Sequence, residues 1–367
     1  MKGTSFFNIL ILWNMENPSS KILAYSPNWV GDAIMCIPAL KAIRKVYSGC
    51  DLYMLAVPWV KEVYEFSGIP DYIITYDRRS LHRGLKGTYK LVEEIKQHRI
   101  TTSFVFPNSW RAALIPWLAK IPTRAGLSRR FRQLFFLNSS AKPEKDFKLK
   151  HQVFYYLSVV KVLHPDIHKY EAEVTRTPLL SPGADTKEMG LVLAEKLRLK
   201  PEKPWLGLAP GAQYGDAKLW WPESFANVAD RVAKEYDAQI VIFGSASESD
   251  IARRVMSRMK TRCVDLTGKT SLKDAMLLLH HCKVLLTNDS GLMHVGAALG
   301  IPLVAIFGST DPIHTGPFGD PGKTVVLEAK IGCHPCFKRD CPLGHKQCMS
   351  EIRPDDVFES IKQLWEK

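Results

Sequence analysis

Short β-forming runs alternate with amphipathic segments of helical period along most of this 367-residue chain, and the series occurs twice. Strands separated by helices are typical of parallel sheets covered by helices. We therefore predict an α/β protein with two Rossmann-like parallel-sheet domains. The predicted strands are 22–25, 52–57, 73–76 and 103–106, then 205–209, 239–243, 284–287, 303–307 and 324–327. The predicted helices are 33–45 and 89–98, then 223–235, 250–259, 272–281 and 293–299.

The residues between the two series indicate a domain boundary. Segment 178–183 contains two prolines and a glycine, a composition typical of linkers. An apolar run at 6–13 is far shorter than the roughly 20 residues that span a bilayer, so we expect no transmembrane segment there. The predicted organisation is an accessory N-terminal extension at 1–20, a first domain at 21–180, a second at 181–350 and a C-terminal helix at 351–367.

The chain is basic, with 50 Lys and Arg against 37 Asp and Glu and a net charge of +13. This charge predicts an anionic partner: nucleic acid, a phosphorylated metabolite or an acidic lipid. Segment 111–150 alone holds ten basic residues against two acidic ones. No recognised RNA-binding motif is present, so we expect no nucleic-acid partner, although a basic nucleic-acid-binding protein is an alternative of a different class.

The eight cysteines fall into two groups. Those at 36, 50, 263 and 282 are scattered, which is typical of buried thiols in a reducing cytosol, so we expect a cytoplasmic protein. The late group consists of Cys333, Cys336, Cys341 and Cys348. Its C-x2-C spacing is of a metal-binding type, and a structural zinc site is one interpretation; free thiols or a disulfide are the other.

Ligands of such sheets bind beyond the carboxyl ends of the strands, so the strand-to-helix junctions are the candidate sites. The first junction reads Ser26-Pro27-Asn28-Trp29-Val30-Gly31-Asp32. Asp32 falls at the start of the following helix, where a carboxylate is a common N-cap. The functional interpretation is a general base that accepts the proton of an attacking hydroxyl.

The second junction, 209–222, opens the second series. Small residues at Gly211 and Ala212 expose backbone donors and Lys218 adds a mobile positive charge, a combination that suits a diphosphate. The alternative is a surface loop that ends at a helix start. Glycines at 207, 211 and 215 do not match G-x-G-x-x-G, and 268–270 lacks the upstream glycine of a P-loop, so a dinucleotide-dependent dehydrogenase is disfavoured.

The third junction, 287–294, again leads from a strand end into a helix. Ser290 and Gly291 place backbone N–H groups at the helix start, where the helix dipole favours an anion. Asp289 is either an N-cap or an acceptor of hydrogen bonds from sugar hydroxyls. His294, one turn further on, is either a buried or capping histidine or a site residue.

Together these motifs resemble those of the family 9 glycosyltransferases, and within that family the lipopolysaccharide heptosyltransferases. The resemblance covers residues 21 to about 308 and rests on Pro27-Asn28-Trp29-Val30-Gly31-Asp32, Pro107-Asn108-Ser109, Pro210-Gly211-Ala212 with Ala217-Lys218, and Thr287-Asn288-Asp289-Ser290-Gly291-Leu292-Met293-His294. It implies a GT-B fold, in which two Rossmann-like domains face each other across a cleft. It also implies an inverting transfer of heptose from ADP-L-glycero-D-manno-heptose to a heptosyl-Kdo2-lipid A core, with no catalytic metal and no required cofactor.

The resemblance and the junctions together assign the candidate residues. The catalytic residues are Asp32, as base, and Lys218. The donor-binding residues are Gly211, Ala212, Gln213, Lys218, Thr270, Asp289, Ser290, Gly291 and His294. The acceptor-binding residues are Asn28, Trp29, Asn108, Ser109, Arg111, Arg129, Arg130 and Arg132.

The arginines at 129, 130 and 132 alternate with phenylalanines, which predicts contact with lipid headgroups or anionic core sugars. The alternative is a solvated basic face. We expect peripheral contact with the cytoplasmic face of the inner membrane. A sugar-nucleotide epimerase on the same fold is the alternative enzyme.

Overall fold

The computed structural model describes residues 20–128, 135–143, 146–181, 183 and 185–367. The chain divides into two compact units, one ending at Arg176 and the other beginning at Thr177. The predicted boundary lies four residues later, after residue 180. Residues from 177 onward belong to the second unit in part because the Leu180 amide donates to the Ala298 carbonyl.

The first unit contains a six-stranded sheet in which every neighbouring pair of strands is parallel. Its strands are β1 (Lys21–Tyr25), β2 (Asp51–Ala56), β3 (Tyr72–Thr75), β4 (Thr102–Val105), β5 (Thr123–Leu127) and β6 (Ser139–Ala141). The order is β3-β2-β1-β4-β5-β6. Four of the five residues of β1 are buried, as expected for a central strand covered by helices on both faces.

Helices of the first unit cover this sheet. In the described residues they are α1 (Val30–Met35), α2 (Ile37–Val46), α3 (Pro58–Ser67), α4 (Gly84–Gln97), α5 (Trp110–Leu118), α6 (Gln152–Lys161) and α7 (Glu171–Val174), with 3-10 turns at Phe147–Leu149 and Pro165–Tyr170. The single helix predicted at 33–45 is wrong. It divides at Cys36 because Pro38 has no N–H to donate to the preceding turn.

The second unit repeats the same architecture. Its strands are β7 (Trp205–Ala209), β8 (Gln239–Ile242), β9 (Cys263–Asp265), β10 (Cys282–Asn288), β11 (Leu303–Phe307) and β12 (Thr324–Glu328). All neighbouring pairs are parallel, and the order is β12-β11-β10-β7-β8-β9. Two parallel six-stranded sheets confirm the predicted α/β class. The strands β5, β6 and β9 were not predicted, and the last two have only three residues each, too few to show a pattern.

Helices of the second unit surround its sheet. In the described residues they are α8 (Thr186–Lys196), α9 (Pro222–Tyr236), α10 (Ser249–Met256), α11 (Leu272–Leu279), α12 (Gly291–Ala298), α13 (Pro312–Thr315), α14 (Gln347–Ser350) and α15 (Pro354–Trp365), with 3-10 turns at Asp216–Lys218 and Ala246–Glu248. The C-terminal helix α15 packs on α9, β10 and β11, and the ring of Trp365 stacks on Tyr236 with centroids 5.0 Å apart.

Each sheet has a position where the strand order reverses direction. In the first unit it lies between β1 and β4, and in the second between β7 and β10. Loops that leave the two strands of such a pair turn to opposite sides, which opens a crevice at the carboxyl edge where ligands bind. The three predicted junctions follow β1, β7 and β10, and the Pro107-Asn108-Ser109 motif follows β4. The topology therefore groups the candidate residues into two sets, one in each unit.

Candidate functional site

Asp32 lies in the first turn of α1, at the switch point of the first sheet. A carboxylate in this position is favoured by the positive end of the helix dipole. The Tyr156 hydroxyl, from α6, donates a 2.9 Å hydrogen bond to its Oδ1 atom. Burial, and then the neighbouring Asp32 charge, raise the pKa of Tyr156 well above its ordinary value. Tyr156 therefore remains protonated and acts as a permanent donor to Asp32.

The loop after β4 adjoins the loop after β1, because Val105 pairs with Tyr25 in the sheet. The Asn108 side-chain oxygen accepts a hydrogen bond from the Tyr155 hydroxyl. Tyr155 and Tyr156 are consecutive residues of α6. One turn of this helix therefore donates hydrogen bonds both to Asn108, after β4, and to Asp32, after β1.

The other predicted acceptor residues of these loops differ in what they contact. The Asn28 carbonyl accepts a 2.6 Å hydrogen bond from the Trp59 indole, and Trp29 is 50% exposed. Ser109 is the N-cap of α5, and its hydroxyl oxygen accepts a 3.2 Å hydrogen bond from the Ala112 amide. Its side chain therefore has a helix-capping role in this structure.

The predicted arginine group is only partly described. Arg111 is exposed, with its guanidinium 5.5 Å from the Trp110 ring centre. Arg129, Arg130 and Arg132 lie outside the described residues. Arg124, which the sequence places in the same basic segment, donates to the carbonyls of Phe136 and Ile121, so its guanidinium serves the fold around β5.

A cavity of about 380 Å³ lies beside α6 in the first unit. Two lysines and several aromatic rings line it, including Lys150, Lys161, Phe147, Phe154 and Tyr155. Tyr155, which lines the cavity, is also the residue that donates to Asn108. Glu171 also lines the cavity and pairs with Lys161 at 3.3 Å, and Lys150 pairs with Asp146 at 3.0 Å, so the lining carries both signs of charge.

In the second unit, Lys218 and Asp289 form a buried ion pair at the switch point between β7 and β10. Their residues are 8% and 5% exposed, and Lys218 Nζ hydrogen-bonds to Asp289 Oδ2. The Thr310 hydroxyl, from the loop after β11, donates to the same oxygen. The Lys218 ammonium also lies 4.8 Å from the Tyr214 ring centre. The carboxylate thus receives two donors, and the ammonium is held in one place.

Asn288, the last residue of β10, fixes the loop that carries Lys218. Its side-chain nitrogen donates to the Pro210 carbonyl at 2.7 Å, and its side-chain oxygen accepts from the Trp220 amide at 3.2 Å. Both ends of the loop 210–220 are therefore tied to one buried amide. Gly211, within this loop, lies against Glu248, and a β-carbon there would approach the Glu248 carboxylate to 2.1 Å.

The start of α12 adjoins the ion pair. Ser290 is the N-cap, and its oxygen accepts a 3.4 Å hydrogen bond from the Met293 amide and lies 3.2 Å from the Thr287 hydroxyl. Gly291 is the first helical residue and is half-buried. His294 is buried one turn into the helix. The first backbone amides of α12 are thus presented next to Asp289.

The remaining predicted donor residues lie on the adjacent loops. Ala212 is half-buried, and the exposed Gln213 amide donates to the Ser245 hydroxyl at 3.4 Å. Thr270 is half-buried between β9 and α11, immediately before Ser271, which caps α11. Because β9 is two strands away from β7, Thr270 belongs to the outer part of the sheet edge.

Sequence reasoning missed two residues that contact the candidate carboxylates. Tyr156 is 124 residues from Asp32 and lies in a helix whose pattern indicates only core packing. Thr310 lies 21 residues from Asp289. A signal for Thr310 was present, since Gly308-Ser309-Thr310 follows the strand β11 as another small polar junction.

The four late cysteines line one small cavity in the second unit, together with Ala217, Gly308 and Ser309. All four are free thiols. Within the part of the chain that the structure describes, no group of three or more His, Cys, Asp and Glu side chains is arranged to hold a metal ion. The described helices also include none long and apolar enough to cross a membrane.

Comparison with known proteins identifies close relatives. The sequence model of Glycosyltransferase family 9 (heptosyltransferase) matches residues 88–347. Lipopolysaccharide heptosyltransferase 2 of Salmonella typhimurium is 30% identical over 352 residues, which cover 94% of this chain and 98% of the relative. The Escherichia coli protein of the same name is 30% identical over 357 residues, with the same coverage.

Solved structures agree with these relatives. The Escherichia coli ADP-heptose lipopolysaccharide heptosyltransferase II structure matches with a TM-score of 0.79 and 28% identity, over 94% of this chain and 98% of that one. A family 9 glycosyltransferase from Veillonella parvula matches in fold with a TM-score of 0.82 and 22% identity, over 96% and 99% of the two chains. These matches confirm the predicted GT-B fold class and favour a glycosyltransferase over an epimerase or a nucleic-acid-binding protein. The chain belongs to glycosyltransferase family 9, the heptosyltransferase family.

Proposed function

We propose that this enzyme transfers heptose, with inversion at the anomeric carbon, from ADP-L-glycero-D-manno-heptose to the heptosyl-Kdo2-lipid A inner core of lipopolysaccharide. The observation that carries the proposal is the pair of switch points: a carboxylate held by a neutral hydroxyl in the first unit, and a buried ammonium beside a helix start in the second. The relatives named heptosyltransferase 2 support this choice of sugar and acceptor.

Asp32 acts as the general base. As the acceptor oxygen forms its bond to the anomeric carbon, its proton passes to the Asp32 carboxylate. The bond between the anomeric carbon and the phosphate oxygen breaks, and ADP leaves with the electron pair. Tyr156 donates to one carboxylate oxygen at 2.9 Å, which holds the carboxylate in place at the switch point.

Lys218 and the start of α12 stabilise the departing diphosphate. The ammonium supplies the positive end of its ion pair with Asp289, and the amides after Ser290 and Gly291 supply oriented donors at the positive end of the helix. Asp289, through its ion pair, positions Lys218. The backbone at Gly211, Ala212 and Gln213 approaches the nucleotide. His294, which is buried one turn into α12, stabilises the start of this helix. Thr270 lies near the outer end of the donor.

The acceptor binds to the first unit. Asn28, Trp29, Asn108 and Ser109 lie on the two loops at the switch point, and Arg111 lies in the first turn of α5. Arg129, Arg130 and Arg132 keep their predicted role toward core sugars or headgroups. The lipid part of this acceptor places the enzyme as a peripheral protein at the cytoplasmic face of the inner membrane.

The test is a screen of ADP- and UDP-linked sugars against a heptosyl-Kdo2-lipid A acceptor, read by mass spectrometry. We expect the acceptor to gain the mass of one heptose with ADP-heptose alone. Transfer of a different sugar would reject the donor assignment. Conversion of the nucleotide sugar to an isomer, without any change in the acceptor, would support the epimerase and reject transfer.

A further inference from the structure

The segment between β12 and α14 is long for a connection without regular structure. It runs from 329 to 346, whereas loops beyond about 12–15 residues are uncommon in compact domains unless they carry a function. Most of its residues are half-buried or exposed, so it contributes little to an apolar core. Something other than hydrophobic burial must hold it in one conformation.

All four late cysteines lie in or next to this segment, and their thiols come together. All four line one cavity, together with Ala217, Gly308 and Ser309. The conformation of the segment therefore brings the cysteines at 333, 336, 341 and 348 to one place.

A tight turn follows Cys341, and in it the Gly344 amide donates to the Cys341 carbonyl at 3.1 Å. Gly344 and Lys346 make this turn possible by adopting φ values of 71° and 48°. The turn leads the chain from Cys341 to Cys348 in α14, and both cysteines line the same cavity.

The two histidines of the segment are engaged in other contacts. His334 contacts the Gly308 carbonyl through Nδ1 and Glu328 through Nε2 at 3.0 Å. His345 Nδ1 accepts from the Gln347 amide at 3.0 Å. The donor set that converges on the cavity is therefore four sulphurs, and a tetrahedral four-thiolate set favours zinc or iron.

We propose that Cys333, Cys336, Cys341 and Cys348 bind one zinc ion, and that this site restrains the loop that carries Lys218. The described thiols do not yet enclose an ion.

The second half of the proposal rests on direct contacts between the cysteine segment and the Lys218 loop. The Ala217 amide donates to the Arg339 carbonyl at 2.9 Å, and the Tyr214 hydroxyl donates to the Phe337 carbonyl at 3.0 Å. Lys346 pairs with Asp216. Gly215 packs so closely on the segment that a β-carbon there would lie 2.3 Å from the Arg339 oxygen.

The loop after β11 is held by the same segment. The Phe337 amide donates to the Ser309 carbonyl at 2.7 Å, immediately before Thr310. Both neighbours of the Asp289 carboxylate, Lys218 and Thr310, are therefore one residue away from a backbone contact with the cysteine segment. Loss of the metal would loosen both at once.

The first experiment measures metal in the full-length protein, purified under reducing conditions without added metal. We expect about one zinc per chain, and none in Cys341→Ser or Cys348→Ser. Cys263→Ser, which alters a half-buried cysteine outside the segment, should keep the metal. Cobalt-substituted wild-type protein should show the visible absorption of tetrahedral thiolate coordination.

Wild-type protein free of metal, with all thiols titratable or with a mass that reveals disulfides, would overturn the site. Iron in place of zinc would overturn the choice of metal. Because these measurements need no substrate, they are independent of the transferase activity.

The second experiment measures amide hydrogen exchange in peptides that cover 213–221. Exchange should be faster in Cys341→Ser than in wild type and unchanged in Cys263→Ser, while peptides from β1 and β4 in the first unit exchange as before. If metal is lost and exchange in 213–221 stays at the wild-type rate, the restraint of the Lys218 loop is rejected.

Discussion

The two units have the same strand order, yet their switch points carry opposite chemistry. At the first, between β1 and β4, neutral tyrosine hydroxyls from α6 donate to Asp32 and Asn108. At the second, between β7 and β10, a buried carboxylate is paired with a buried ammonium. The shared topology thus determines where a ligand binds, whereas the few side chains at the strand ends determine which reaction the site can carry out.

The difference also predicts how each edge responds to substitution. Tyr156 donates a hydrogen bond to Asp32 without neutralising its negative charge, so the carboxylate can still accept a proton. Substitutions at the first switch point should therefore lower the reaction rate more than the stability of the fold. Lys218 and Asp289 are nearly excluded from solvent, so removal of one partner leaves a buried charge. Changes at the second edge should affect both stability and donor binding.

The largest effect is expected for Asp32→Asn. The amide cannot accept the acceptor proton, and loss of a general base commonly lowers the rate by about 10²–10⁴-fold. The measurement is kcat with ADP-heptose and a heptosyl-Kdo2-lipid A acceptor, together with calorimetric titration of ADP. ADP affinity should stay near the wild-type value because the proposed nucleotide-binding residues are in the second unit.

Asp51→Asn is the matched control for this variant. Asp51 begins β2 and lies at the opposite edge of the same sheet, so its variant should retain wild-type kcat. Equal losses of kcat and ADP affinity in Asp32→Asn would contradict its assignment as base.

Lys218→Met is expected to have the next largest effect. It leaves Asp289 buried without its cation, a change that costs about 3–5 kcal/mol of unfolding free energy for buried pairs. Urea unfolding should show this loss, and the double variant Lys218→Met/Asp289→Asn should recover most of it. Donor affinity should be weak in both variants, since neither restores the ammonium.

The surface pair of Lys203, which is half-buried, and Asp237, which is exposed, provides the comparison, because Lys203→Met should change the unfolding free energy by about 1 kcal/mol or less. If the double variant were as unstable as Lys218→Met, the loss of stability would not come from the unpaired buried charge of Asp289.

Most of the fold and the grouping of the site residues could be predicted from the sequence, because both follow from local patterns. A run such as Ile22-Leu23-Ala24 indicates a buried strand, and the polar residues that follow it lie at a known edge of a parallel sheet. The contacts of Tyr156 and Thr310 could not be predicted in this way. Each joins elements distant in the chain, and such contacts depend on how helices and loops pack on the sheet.

Tyr156→Phe tests the neutral donor of the first edge. A hydrogen bond to a charged group contributes about 1.5–3 kcal/mol, so we expect kcat to fall by about 10- to 100-fold with little change in the donor KM. Because the raised pKa keeps the Tyr156 hydroxyl protonated across the working range, the alkaline limb of the pH profile should be the same in both proteins.

Tyr155→Phe, one residue earlier, removes the donor to Asn108 instead and should alter mainly the acceptor KM. If both variants changed kcat equally, the hydrogen bond to Asp32 would have no special part in the reaction.

The smallest effect is expected for Thr310→Val, which keeps the shape of the side chain and removes one of the two donors to Asp289. Because Lys218 still neutralises that carboxylate, the unfolding free energy should fall by about 1.5 kcal/mol, the lower end for a bond to a charged group. Thr315→Val, which removes a 3.3 Å bond to a neutral carbonyl, should have a smaller effect. In urea unfolding, a Thr310 variant as stable as the wild type would show that Lys218 alone satisfies Asp289, and the second switch point would then depend on its ion pair and not on the loop after β11.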